Sequence, residues 1–500
     1  MHIKKIFILI FIFFLLTPSV VPARATSNFL QNPERSNYTP GHGNITYPVI
    51  THTSSEGWFS RNIAVGDVNE DGKKEIIGLI AFPQYQYCHI PNAASIDNTL
   101  YVYSSNLSLL WKYKITDPMV KTYSGCDNST TDWKVHSLAL GDLDRDGSDE
   151  IIFSISPCIG YPFESIQPET VLHVLKGDGT ELWNRTFEGG ITSESLAVAD
   201  INGDGRNEII VGCKNLYILD SNGQILSSYS PDNYTYRGIS ELAVHGKEIV
   251  FTFWYYKETG ADSVYKMEKV GYETNSLHRI WSLQFANGTV YSDFFTAGDF
   301  SIAYIQRTYP YPNGIVGINL TDGEIAWQNN NDYGALPAVL PDGVIWNTGY
   351  EIYVLNKSGK VMASVQSDHR ELWSTISVFD VNNDGTDDVV VVYRNGIEFY
   401  SLPDLKKELD VGIWKNPGNI YPFPVILHSD IDNEGFDEII TANPEGKIVI
   451  IDNGTPPAPP PPEENKFPVN ELIIAGTGII GAVALITVVL WKKQKRRKSQ

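Results

Sequence analysis

The sequence predicts an all-β fold: a β-propeller of four-stranded repeats, eight blades preferred over seven, followed by one C-terminal transmembrane helix. Three features carry this reading. An acidic nine-residue loop occurs five times, each copy running straight into a short β-branched strand. A second hairpin, often bearing tryptophan, recurs along the chain. Near the C-terminus, a charge-free apolar run of 20 residues precedes six basic ones.

The loops have the form D-x-[DN]-x-[DE]-G-x-x-[DE]. They read GDVNEDGKKEIIG from Gly66, GDLDRDGSDEIIF from Gly141, ADINGDGRNEIIV from Ala199, FDVNNDGTDDVVV from Phe379 and SDIDNEGFDEIIT from Ser429. Hard cations such as Ca2+ take about six to eight oxygens at flexible geometry. Side-chain oxygens at positions 1, 3 and 5, a backbone carbonyl at 7 and a carboxylate at 9 would form such a cage. The candidate ligands are Asp67, Asn69, Asp71, the carbonyl of Lys73 and Glu75 in the first loop. In the second they are Asp142, Asp144, Asp146, Ser148 and Glu150, and in the third Asp200, Asn202, Asp204, Arg206 and Glu208. The fourth offers Asp380, Asn382, Asp384, Thr386 and Asp388; the fifth offers Asp430, Asp432, Glu434, Phe436 and Glu438. Position 6 is glycine in all five, which permits the sharp reversal that turns successive oxygens inward. An EF-hand would need its bidentate Glu at position 12 and flanking helices. Here the last carboxylate is at 9 and Ile-Ile or Val-Val follows, which reads as strand. The bland alternative is an Asp-Gly hairpin without metal, and fivefold recurrence argues against it.

The second element is an apolar strand, a polar turn and another strand. Examples are LYVYSSNLSLLWKYKI from Leu100, VLHVLKGDGTELWNRTF from Val171, LYILDSNGQILSSYS from Leu216, GIVGINLTDGEIAWQNN from Gly314 and EIYVLNKSGKVMASVQ from Glu351. These are hairpins with Gly, Asn or Asp turns. Loop hairpin plus second hairpin makes a four-stranded repeat. Units start near Ile63, Leu138, Leu196, Ile239, Phe294, Leu336, Ile376 and Val425. The fourth to sixth lack the acidic loop and carry short turns such as His245-Gly246-Lys247 and Pro341-Asp342-Gly343. The eighth is one strand short, and Ile45 to Thr53 alternates well enough to supply the missing strand and remove the open edge.

These loops resemble the FG-GAP or VCBS-type repeats of integrin alpha-chain propellers and of many microbial surface proteins, and the second hairpins are similar to PQQ-like propeller repeats. The resemblance covers about Tyr47 to Asn453. It implies calcium, about five sites, and extracellular adhesion or ligand binding. The Phe-Gly and Gly-Ala-Pro elements that name the integrin repeat are not evident, so integrin-like partner recognition is not implied.

Residues 1–25 carry Lys4 and Lys5, an apolar run and Ala23-Arg24-Ala25, the pattern of a secretory signal. Residues 26–44 form an N-terminal segment, 45–453 the propeller and 454–470 a Pro-rich, extended stalk. Leu472 to Trp491, within a transmembrane helix assigned to 471–491, is long enough to cross a hydrocarbon core of about 30 Å. The basic tail 492–500 then lies in the cytoplasm and the bulk of the chain outside, as a single-pass type I cell-membrane protein. Sequons at Asn37, Asn44, Asn106, Asn128, Asn184, Asn233, Asn287, Asn319, Asn356 and Asn453 suit a surface glycoprotein.

The formal charge is -21, and setting aside the nine basic residues of signal and tail leaves -30 on the rest, which argues against nucleic acid. Ligand positions of the five loops hold 17 carboxylates, which repel one another without cations.

Long insertions, Ala81 to Asn98, Thr116 to Trp133, Ser156 to Thr170, Tyr255 to Asp262, Arg307 to Gly314 and Ile413 to Pro424, map to the face opposite the loops. They carry Tyr85, Tyr87, Tyr123, Trp133, Tyr161, Phe163, Tyr309, Tyr311, Trp414 and Tyr421, rings that suit sugar faces or protein hot spots, or that pack the insertions onto the disc. Cys88, Cys126, Cys158 and Cys213 invite disulfides in an oxidising exterior, with Cys88 to Cys126 the preferred of three pairings. No nucleophile elbow or HExxH occurs. His89, His136 and His173 are candidates to converge, each alone more often structural. The expectation is a membrane-anchored, calcium-binding propeller acting in adhesion or in binding a glycan or protein ligand. The alternative is an extracellular enzyme, a polysaccharide lyase or hydrolase or a quinone-dependent dehydrogenase.

Overall fold

The computed structural model describes residues 39–455, apart from 58, 60–61, 80–98, 116–132, 158–168, 190–194, 232–235, 257–262, 286–289, 297–301, 309–313, 330–336, 370–374, 394 and 415–424. The signal, most of the stalk, the membrane span and the basic tail expected from the sequence lie outside them. No helix among the described residues is long and apolar enough to cross a membrane.

The short alternating strands pair only with their sequence neighbours, with one exception. Strand β1 (Pro48–Thr53) precedes the first sheet, which is β2 (Ile63–Gly66), β3 (Glu75–Leu79), β4 (Thr99–Tyr103) and β5 (Leu109–Lys114). The second is β6 (Trp133–Gly141), β7 (Glu150–Pro157), β8 (Glu169–Leu175) and β9 (Glu181–Glu188). The third is β10 (Leu196–Ala199), β11 (Glu208–Gly212), β12 (Leu216–Leu219) and β13 (Ile225–Tyr229). The fourth holds β14 (Tyr236–His245), β15 (Glu248–Tyr256), β16 (Ser263–Glu273) and β17 (Ser276–Gln284). The fifth holds β18 (Val290–Thr296), β19 (Ile302–Thr308), β20 (Gly314–Asn319) and β21 (Ile325–Asn329). The sixth is β22 (Ala338–Leu340), β23 (Gly343–Asn347), β24 (Glu351–Asn356) and β25 (Val361–Gln366). The seventh is β26 (Ile376–Phe379), β27 (Asp388–Tyr393), β28 (Gly396–Ser401) and β29 (Lys406–Gly412). The eighth sheet takes only β30 (Ile426–Ser429), β31 (Glu438–Ala442) and β32 (Ile448–Asn453) from the C-terminal end, and β1 completes it in the order β1-β32-β31-β30.

The N-terminal closing strand expected from the sequence is therefore present, antiparallel to β32 from Pro48 opposite Asn453 to Thr53 opposite Val449. First strands of successive sheets pack against one another from β2 through β30. The last sheet meets the first through the Lys74 N–H, which donates to the Ile431 carbonyl at 2.9 Å, and through an apolar cluster that joins Ile63 and Val65 to Val425 and Leu427. The sheets form a closed ring, a β-propeller. Burial follows radius: β2 is buried throughout, whereas β5 alternates exposed and half-buried residues.

Neighbouring sheets are joined at the rim by a repeated tryptophan. Trp111, Trp183, Trp281 and Trp327 hold the same register on outer strands, just past a bulge. Each indole N–H donates to a carbonyl in the turn of the next sheet, at Gly177, Ser221, Leu320 and Lys357, over 2.8–2.9 Å. The turn must come close to the ring, and at Gly359 a Cβ would lie 2.3 Å from Trp327. Ser227 and Ala363 occupy that register in the third and sixth sheets. There the following sheet buries a glutamate instead. Glu268 accepts from the Tyr229 and Ser282 hydroxyls, both at 2.9 Å, and Glu398 accepts from Ser367 at 2.9 Å and Tyr400 at 2.8 Å. Both carboxylates are fully buried, so every lone pair left unmet would carry a desolvation cost.

Cys213 is a free thiol inside the core, and burial pushes it up to about 12. Its part in the expected disulfides is thereby corrected: it sits between two sheets among apolar side chains. Cys88, Cys126 and Cys158 lie outside the described residues.

Trp327→Phe, which removes the indole donor, is expected to cost about 1 kcal/mol, and Gly359→Ala about 2 kcal/mol through overpacking. Because the two share one contact, urea unfolding of the double variant should give less than the sum.

Candidate metal centres

All five acidic loops are described, and they share one conformation. Each closes the hairpin between the first two strands of its sheet, with the residue before the loop paired to position 9. The pairs are Gly66 with Glu75, Gly141 with Glu150, Ala199 with Glu208, Phe379 with Asp388 and Ser429 with Glu438. Position 2 is an apolar anchor: Val68, Leu143, Ile201, Val381 and Ile431 are all buried. Its amide donates to the position-9 carboxylate over 2.8–3.2 Å in every copy. The position-6 glycine amide donates to the position-1 carboxylate, again over 2.8–3.2 Å. Positions 4 and 6 both take positive φ, from 60° at Glu70 and Asn383 to 98° at Gly147. Two left-handed residues separated by one ordinary residue curl the loop so that its acidic side chains converge.

Convergence is measurable. One carboxylate oxygen from each of Asp142, Asp144 and Asp146 lies within 4.8 Å of the others, and the same holds for Asp430, Asp432 and Glu438. In the first loop Asn69 Nδ2 spans Asp71 Oδ2 at 3.2 Å and Glu75 Oε1 at 3.0 Å, and Asn202 does the same in the third loop. A donor thus stands where the carboxylates meet. Asp67 Oδ1 and Asp388 Oδ1 are buried acceptors with no hydrogen-bond partner. An orphaned buried carboxylate oxygen costs free energy unless something positive meets it. An all-oxygen donor set of this kind fits a hard divalent cation.

Burial, with the Asp71 and Asp67 charges adding to it, pushes Glu75 up from the usual 4.5 to about 7. The same cause takes Glu150 and Glu208 to about 7, Asp388 from 3.8 to about 7, and Glu438 to about 8.

The ring makes neighbours of loops that are far apart in sequence. Those of the seventh, eighth, first, second and third sheets fall on consecutive sheets, and position 8 links them. The Lys74 amide donates to Ile431 in the preceding loop, the Asp149 amide to the Asp67 carbonyl at 2.8 Å, and Asn207 Nδ2 to the Asp142 carbonyl at 3.0 Å. Arg145 reaches forward to the carbonyls of Asp204 at 2.7 Å and Gly205 at 2.8 Å. The sequence signalled the acidic positions and the glycine; it did not signal the position-2 anchor, the positive φ at position 4 or the linking role of position 8.

Other candidates resolve differently. His173 is a packed core residue, stacked on Phe153 and held by Glu181 at 2.7 Å. His89 and the aromatics Tyr85, Tyr87, Tyr123, Tyr161, Phe163, Tyr309, Tyr311 and Tyr421 lie outside the described residues; His136 and Trp133 fall in β6, their side chains not described. Trp414 packs, half-buried, on the apolar cluster between the seventh and eighth sheets. His369, Glu398 and Asp410 also approach within 4.8 Å, but the Lys407 ammonium stands among them, 2.7 Å from Glu398 and 3.1 Å from Asp410. That cluster carries its own cation and joins the sixth sheet to the seventh.

Raised carboxyl pKa values mean that the folded chain holds protons the unfolded chain has lost. The stability they contribute is present below the usual 4.5 and is lost as pH rises through about 7 to 8. In chelator, the melting temperature should fall between about pH 5.5 and pH 8. In saturating calcium, which would replace the protons, calorimetry should show that decline abolished.

No protein-family profile matches the chain, and no curated protein matches it. Among solved structures it is similar to the Dos1 propeller, at 10% identity and TM-score 0.46, over 81% of this chain and 95% of that one. It is similar to the exotype rhamnogalacturonan lyase YesX at 12% identity and TM-score 0.34, over 83% and 91%. A third likeness, to the Neurospora crassa Pan2 WD40 domain, is 11% identical with TM-score 0.37, over 61% and 86%. The propeller architecture rests on the sheet order and closure described above rather than on these likenesses.

Proposed function

We propose that the chain is an eight-bladed, calcium-stabilised propeller, anchored at the outer face of a cell membrane, that binds a glycan or protein ligand. The observation that carries the calcium reading is the identity of the five loops: one register, one hydrogen-bond set and one pair of left-handed positions, with unpartnered buried oxygens at Asp67 and Asp388. The cation would be held by the residues at positions 1, 3, 5, 7 and 9. Its charge would offset the carboxylate repulsion and fix the loops as rigid clamps between neighbouring sheets. Its role is structural, since each loop closes the hairpin between the two inner strands of its sheet.

Ligand binding is assigned to the other face of the disc. In a four-stranded antiparallel sheet, the turns between first and second and between third and fourth strands share one end, and the remaining connections share the other. The acidic loops occupy the first end, and the strand ends that bound the long aromatic insertions lie at the second.

The test is capture of ligand by the chain immobilised through its C-terminus, in calcium, from cell-surface and environmental glycans and proteins. Mass spectrometry of bound and unbound fractions should find an intact ligand retained. Nothing retained, with shortened or oxidised glycans in the flow-through, would replace binding with catalysis.

A further inference from the structure

Three of the four junctions between successive acidic loops are direct contacts. Between the loops of the seventh and eighth sheets, residues from the N-terminal segment are inserted instead. The Gly43 amide donates to the Asp380 carbonyl at 2.7 Å and the Ile45 amide to the Val381 carbonyl at 2.8 Å, while the Asp380 amide donates back to the Gly41 carbonyl at 3.3 Å. On its other side the Asp437 amide donates to the His42 carbonyl at 2.9 Å, and the His42 ring meets Phe436 edge-on. His42 and Asp380 form a parallel bridge, the isolated one among the described residues. Fit is tight: a Cβ at Gly43 would lie 2.7 Å from the Val381 carbonyl oxygen and 3.0 Å from that of Asp437. Ile45 is buried in the apolar cluster of the seventh and eighth sheets, and three residues later the chain enters β1, the strand that closes the ring.

We propose that residues 41–45 are a calcium-dependent strap: metal in the loops of the seventh and eighth sheets holds the strap in place, and the docked strap in turn tightens metal binding at those two loops. The inference rests on the calcium reading above. The strap pairs with backbone groups of Asp380 and Val381, positions 1 and 2 of one loop, and of Asp437, position 8 of the other. Its docking surface exists only while both loops keep their curled conformation. A cation that fixes that conformation must favour docking, and by linkage docking must favour the cation by the same factor. The strap's hydrogen bonds go to the loops of the seventh and eighth sheets, so the affinities of the first, second and third loops should change least. Calcium thereby controls how the segment leading into the closing strand is held between the seventh and eighth sheets.

The test uses the full-length chain and its Gly43→Val variant, whose side chain would strike two backbone carbonyls and remove no proposed ligand. Calcium titration should find five sites in the native chain. In the variant two of them should weaken by about fivefold or more and three should keep their affinity. Hydrogen exchange on the native chain provides an independent readout that does not depend on how the variant folds. Chelation should speed exchange at the Gly43 and Ile45 amides, which belong to no loop, ahead of the β10–β11 ladder. Five unchanged sites in the variant, or strap amides whose exchange ignores chelator, would overturn the strap and leave the calcium reading standing. A native chain that binds no calcium would overturn both.

Discussion

Seventeen carboxylates at the ligand positions of five consecutive loops must be held along one arc of the ring, and the rest of the structure is arranged around that electrostatic constraint. Like charges within 4.8 Å are strongly unfavourable where water is partly excluded. The loops meet the problem in part by themselves. Backbone amides at positions 2 and 6 point at the carboxylates, asparagine amides bridge two of the cages, and burial raises the proton affinity of the position-9 groups. What these devices leave unmet is an acceptor such as Asp388 Oδ1, buried and without a donor. A divalent cation in each proposed site would complete the satisfaction that the chain begins.

The same arc accounts for the division of labour around the ring. Where acidic loops are adjacent, position 8 ties each to its neighbour through a backbone group. Where loops are missing, the joints rely on tryptophans gripping the next turn, as at Trp281 and Trp327, or on a buried glutamate, as at Glu268 and Glu398. Two joints, first to second and second to third, use both loops and tryptophan. Only at the seam between the seventh and eighth sheets does a separate piece of chain intervene. That piece is continuous with β1, the strand that closes the ring in the eighth sheet.

Much of the fold was legible because its signals are local. Alternation within β-branched runs, Asp-Gly turns and a repeat of fixed order placed the strands, and the missing strand in the last unit pointed to residues 45–53. The strand begins at Pro48 because Ile45 is drawn instead to Val381 in the acidic loop of the seventh sheet. Contacts of that kind, between residues hundreds of positions apart, leave no periodic trace. The register of tryptophan against the neighbouring turn is likewise invisible until sheets are placed side by side, as is the exchange of tryptophan at Ser227 and Ala363 for glutamate in the sheet beyond. Cys213 illustrates the converse error. The cysteine count and an oxidising exterior suggested a disulfide, but the thiol is buried among apolar side chains of the second and third sheets.

Calcium content and its energetic effect test the central claim most directly. Equilibrium dialysis of the intact protein, with metal counted per chain, should find five bound calcium ions. Each site would contribute about 2.7 kcal/mol at a hundredfold excess over its Kd. Removing all five should therefore lower the melting temperature by roughly 10 °C or more. A chain that binds no calcium, or that melts at the same temperature with and without it, would contradict the account and leave the acidic arc as a set of proton-stabilised hairpins.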